Sequence, residues 1–297
     1  MMKRFYRLCR IMIILTIILT ATLLTSRPYA SAETPQNPAV KTIFNPLLAD
    51  PLEPRIAVMP LLGKKSLQLD IGSSADLYQS KSRKFAVGVD FATFSLLRRT
   101  ENFKFPVDAV DYLFGINASW KKPIKVDVLP FEEFSTRAKL SHISAHFEDG
   151  HYNADTDQWL RQPEWLGTIP FTYSREFVNL VLALSSPGRR IYTGYQYLYH
   201  TLPDGINPHS FQAGAELSAP YNTYFAADFK LHPLWQPLLN ETKGHRGTWN
   251  LQAGINLRGA GLEKVRVACN YYSGMSRQGM YFYHPESYTT AGIIIDF

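Results

Sequence analysis

Ser287-Tyr-Thr-Thr-Ala-Gly-Ile-Ile-Ile-Asp-Phe297, the end of the chain, alternates residue by residue. Thr289, Ala291, Ile293, Ile295 and Phe297 share one parity; Tyr288, Thr290, Gly292, Ile294 and Asp296 share the other. In an extended strand the two sets point to opposite faces. Upstream the same period of two recurs in segments 55–61, 66–77, 84–97, 108–120, 132–148, 171–185, 190–200, 210–219, 222–231, 248–258 and 264–272. With the final segment these make twelve, an even number, as a closed antiparallel barrel with both ends on one side requires. The first is the weakest, because Pro60 interrupts it.

An alternating strand that closes on an aromatic resembles the C-terminal signal of bacterial outer-membrane barrels, which implies the barrel-assembly machinery as a partner through the strand ending at Phe297. The N-terminus fits that context. Lys3, Arg4, Arg7 and Arg10 precede an apolar run over 11–25, and Ala30-Ser-Ala32 follows, the layout of a secretory signal peptide cut after Ala32. The alternative is a retained anchor, since the run is only a little short of a spanning helix. The expected organisation is a signal peptide at 1–32, a proline-rich arm or plug at 33–54, and a barrel at 55–297.

Five of the 31 basic residues and none of the 25 acidic ones fall in 1–32, leaving 26 against 25. The basic balance therefore belongs to the leader, and no basic stripe argues for nucleic acid. One cysteine, Cys269, remains after Ala32, so no intrachain disulfide or cysteine metal cluster is expected. Connections 79–83, 187–188, 220–221 and 259–263 are short, whereas 149–170, 232–247 and 273–286 are long. That is the asymmetry between periplasmic turns and external loops. Connection 63–65 is short for an external loop, and 121–130 is long for a periplasmic one. A soluble sandwich or lipocalin-like barrel would turn its apolar parity inward. Here the opposite parity carries Arg137, Lys139, Arg175, Arg190, Glu216, Asp228, Lys230, Arg258 and Arg266. The expected fold is all-β: a closed antiparallel transmembrane β-barrel in a Gram-negative-type outer membrane, apolar residues facing lipid and charges paired in an occluded lumen.

The fifth segment departs from this rule. Its lipid-side parity runs Phe134, Thr136, Ala138, Leu140, then His142, Ser144, His146 and Glu148. Polar groups at a lipid face are costly and raise a functional hypothesis. Same-face neighbours on a strand stand roughly 7 Å apart, so His142 can serve as general base for a Ser144 nucleophile. If Glu148 pairs with Pro170, antiparallel register sets Ser144 beside Ser174 and His142 beside Glu176, which could orient the imidazole. Alternatively these are girdle residues that hydrogen-bond headgroups. A metal shared by His142 and His146 is disfavoured, since i to i+4 on a strand spans roughly 13 Å.

This His-x-Ser arrangement resembles that of outer-membrane phospholipase A and the lipid A deacylases. In phospholipase A an Asn-Gly pair usually follows the serine; Ala145 and His146 stand here instead. No cofactor is expected, calcium being the exception if the site is a hydrolase. A broader resemblance rests on Phe44-Asn-Pro-Leu-Leu-Ala-Asp-Pro-Leu-Glu-Pro-Arg55, Leu140-Ser-His-Ile-Ser-Ala-His-Phe-Glu-Asp149, Tyr173-Ser-Arg-Glu176 and the tail 271–297 with Gly274 and Gly279. These stretches are similar to the bacterial family catalogued as domain of unknown function 1207, which implies an outer-membrane-type barrel and no established activity. Two readings stay open. One is a structural or binding barrel whose loops, such as 152–165, meet partners. The other is a lipid or lipopolysaccharide acyl hydrolase using Ser144, His142 and Glu176, with outer-membrane lipid or lipopolysaccharide as substrate.

Overall fold

The computed structural model describes residues 42–100, 102, 104–125, 130–146, 152–153, 158–159, 171–236, 239–257, 262 and 264–296. The signal segment 1–32, Phe297, Glu148, Asp149 and most of loop 147–170 lie outside the described residues. The strands are β1 (Ile56–Pro60), β2 (Ser66–Gln79), β3 (Phe85–Arg98), β4 (Val107–Pro123), β5 (Glu133–His146), β6 (Tyr152–Asn153), β7 (Gln158–Trp159), β8 (Ser174–Ser186), β9 (Arg189–Leu202), β10 (His209–Ser218), β11 (Thr223–Gln236), β12 (Glu241–Asn256), β13 (Val265–Met275) and β14 (Pro285–Ile295). Among the described residues β6 and β7 pair only with each other; the other twelve close into one antiparallel barrel in chain order. The short β1 and the terminal β14 form the seam, Ile56 opposite Ile295 and Val58 opposite Ile293.

Alternation decides what each face carries. Val87, Phe91, Ile116, Leu140, Leu180, Phe225 and Ile293 are exposed on the outside, while Asp70, Asp90, Asp111, Arg137, Glu216, Asp228 and Arg266 are buried within. This inside-out distribution matches a lipid-facing barrel. Among the described residues no helix is long and apolar enough to cross a membrane; crossing falls to the strands.

The lumen is packed. Phe44 and Leu47 bury against Val181, Ala183 and Tyr192, and Leu48 and Ala49 against Tyr224 and Ala226. Glu53 takes a two-pronged ion pair from Arg137, 2.6 and 2.8 Å, with Lys139 at 3.6 Å. Asp50 pairs with Lys230, Glu216 accepts the Leu48 N–H at 2.8 Å, and Arg190 donates to the Asn45 and Pro46 carbonyls. Burial alone would raise the Asp50 and Glu53 carboxyls, but Lys230 beside the first and Arg137 and Lys139 beside the second hold both below the usual carboxylate range.

From the other end, loop 276–284 folds inward around a 3-10 turn at Gly279–Tyr281. Arg277 pairs with Asp70, which also takes Arg55 at 3.0 Å. Above these pairs Phe94, Leu113, Ile143, Tyr173, Phe177, Leu198, Trp235 and Phe282 form an apolar layer.

One loop differs from expectation. The spacing predicts an external loop over 232–247, yet β11 runs on to Gln236 and β12 starts at Glu241. Pro233 stands within β11 at a register shift between Pro233 and Trp235, the kind of irregularity where a residue without an N–H is tolerated.

Candidate functional site

β5 and β8 pair in the expected register, Ser144 opposite Ser174 and His142 opposite Glu176. His142 and Ser144 lie on the outward parity of β5, between inward, buried Ser141 and Ile143. The site stands near the strand ends that run into loop 147–170, the external rim in this orientation.

Three contacts define its geometry. His142 Nδ1 lies 2.6 Å from Glu176 Oε1. The second Glu176 oxygen bonds His200 Nδ1. Ser144 Oγ lies 3.1 Å from His146 Nε2, so in this conformation the hydroxyl is engaged with the histidine above it rather than with His142. The His146 ring in turn meets Tyr112 edge-on at 5.2 Å. Chemically, His142 is an imidazole whose Nδ1 is fixed by a carboxylate, with Ser144 two residues along on the same face. That is the base-and-orienter half of a nucleophilic site.

His200 is a member that alternation misplaces. On β9, Tyr195, Tyr197 and Tyr199 face out, so even-numbered His200 is expected inside. The pairing of β8 with β9 jumps from Glu176–His200 to Phe177–Leu198. Tyr199 is therefore the extra residue of a bulge, and the bulge turns His200 outward onto Glu176. The only hint in the sequence is the break in alternation after Tyr199. Among the described residues no group of three or more His, Cys, Asp or Glu could hold a metal ion.

A closed twelve-stranded barrel with an apolar exterior and a charged interior defines an outer-membrane-type β-barrel protein. The chain belongs to the family described as Protein of unknown function (DUF1207), whose model matches residues 30–297. Its fold is similar to outer membrane phospholipase A from Escherichia coli in an active-site mutant form, with TM-score 0.57, 10% identity, and 93% of this chain and 96% of that one covered. It is also similar to the Salmonella typhi outer membrane phospholipase dimer with bound calcium, with TM-score 0.54, 10% identity and 78% of each chain covered. At this identity the likeness is one of fold. No curated protein matches the sequence.

Proposed function

We propose that the protein is an integral outer-membrane barrel, delivered by a cleaved signal peptide, whose chemistry lies on its lipid-facing surface: an acyl hydrolase of membrane lipid or lipopolysaccharide. The observation that carries this reading is the His142 Nδ1 to Glu176 Oε1 bond of 2.6 Å, made across two strands on a lipid face with Ser144 on the same face. Polar side chains on a lipid face are costly where they meet hydrocarbon, which makes such a cluster a functional hypothesis.

In the reaction, Ser144 Oγ leaves His146, attacks the ester carbonyl carbon and passes its proton to His142 Nε2. Glu176 stabilises the resulting imidazolium through Nδ1–H. Collapse of the tetrahedral intermediate expels the deacylated lipid alkoxide, which takes the proton from His142. Water, activated by the same imidazole, then cleaves the acyl-serine and releases the fatty acid.

The test is acyl release from labelled phospholipid and lipid A by the refolded barrel, with and without calcium, comparing wild type with Ser144→Ala. Release by the wild type that disappears in the variant is expected. No release from a demonstrably folded wild type would return the site to the second reading, a structural or binding barrel with a headgroup-bonding polar girdle. The resting Ser144–His146 bond favours that reading.

A further inference from the structure

Two of the stretches that carry the family likeness, Tyr173-Ser-Arg-Glu176 and the tail 271–297, also meet inside the barrel. Alternation on β8 sends Glu176 out and Arg175 in. The Arg175 guanidinium lies 4.5 Å from the ring centroids of both Tyr173 and Phe282. Gly279 passes so close to Tyr173 that a Cβ there would stand 2.4 Å from the ring, so a glycine is needed for the tail to reach this place.

Arg175 is 9% exposed, and its Nε is buried without a hydrogen-bond partner. Five other buried guanidiniums are ion-paired: Arg137 to Glu53, Arg190 to Glu216, Arg266 to Asp296, and Arg55 and Arg277 to Asp70. Among the described residues Arg175 has no such ion pair. The buried Asp111 carboxylate, which accepts the Gly279 N–H at 2.7 Å, acts on Arg175 through space but makes no ion pair with it. A buried guanidinium without hydrogen bonds is costly, and stacking on two rings offsets only part of that cost.

Arg175 borders a cavity of about 80 Å³ whose lining includes Lys230, His232, Asn250 and Asp228. The lysine is engaged by Asp50. The Asp228 carboxylate accepts from Tyr192 at 2.7 Å and Gln212 at 2.6 Å. Arg175 on β8 and the His232 imidazole on β11, three strands apart round the barrel, are left as groups without a hydrogen-bonding partner among the described residues along one space. A guanidinium fork and a neighbouring ring nitrogen are the donor set that grips an oxyanion.

We propose that this cavity binds a small oxyanion of the size of formate or phosphate between Arg175 and His232. The ion supplies the hydrogen-bond acceptor that Arg175 lacks and ties strands β8 and β11 to the inward-folded tail loop. The site is independent of the lipid-facing chemistry, from which it is separated by the barrel wall.

The full chain is refolded in the presence of labelled inorganic phosphate or formate, and retention is read by equilibrium dialysis. Wild type is expected to retain close to one ion per barrel. Arg175→Gln should weaken binding at least about tenfold, the loss of a charge-assisted hydrogen bond. His232→Gln provides the same readout from the other side of the cavity should the arginine variant fail to fold. No retention by wild type would mean that water fills the cavity and would overturn the proposal. So would retention undiminished in either folded variant, which would place the ion elsewhere.

Discussion

Replacing Glu53 by Gln should release the segment that fills the lumen. Arg137 reaches both Glu53 oxygens, at 2.6 and 2.8 Å, and the two side chains are only 5% and 3% exposed. Breaking a buried pair from one side leaves an uncompensated charge and costs about 3–5 kcal/mol. At about 1.4 kcal/mol per factor of ten, the equilibrium between seated and released segment shifts by roughly 10²- to 10³-fold. Lys139 softens this only slightly, because it retains Asp90 at 3.5 Å. The assay is tryptic cleavage after Arg55 in the refolded barrel, which tracks the population of the released form when reseating outpaces cleavage. Heat-modifiable migration in detergent gels checks that the barrel itself stays folded. Arg137→Met should accelerate cleavage to a similar degree, and the double variant should recover most of the loss, since neither charge is then stranded. Equal cleavage of wild type and Glu53→Gln, or a double variant as labile as the singles, would refute the idea that this pair seats the segment.

The same carboxylates set a pH dependence. Because Asp50 and Glu53 are depressed in the folded barrel, their stabilisation is complete above the ordinary carboxylate value of about 4 and is lost as pH falls toward the depressed values; cleavage by pepsin, followed downward from pH about 4, should rise accordingly, and a flat profile would count against it. His142→Ala should lower acyl release about 10²- to 10⁴-fold, the usual worth of a general base, and Glu176→Gln less, while His146→Ala stays within a few-fold of wild type. If His146→Ala proves the inactive variant, the base has been misassigned. Leu180→Arg, on the outward face, should cost about 2–4 kcal/mol of folding into bilayers, measured by denaturant titration; tolerance of that charge would contradict a lipid-facing position. Gly292→Ala would set a Cβ 2.0 Å from the Val58 carbonyl at the seam. It should destabilise barrel closure by about 1–3 kcal/mol or more, lowering the temperature at which the heat-modifiable band is lost.

The number of strands, their order, the lipid-facing parity and the register that brings Glu176 to His142 were legible in the sequence. Each follows from a period of two propagated along neighbouring antiparallel strands, where one reliable pairing fixes the next. Other features depended on contacts between residues far apart in the chain. Alternation cannot report a bulge, so His200 became visible as a partner of Glu176 only through the pairing of β8 with β9. Nor can it report which of two flanking histidines a hydroxyl chooses: Ser144 stands between His142 and His146, and rotamer and local packing give it to His146. Proline-rich composition marks the stretch before the barrel as an arm or plug, but the pairing of Glu53 with Arg137, 84 residues on, is a property of the closed barrel. Arg175 looked like one more inward charge. Only the assembled interior, which gives ion-paired carboxylates to Arg137, Arg190 and Arg266 and two aromatic rings to Arg175, sets it apart among the described residues. Local periodicity determined which way each side chain faces, and long-range closure determined what it meets there.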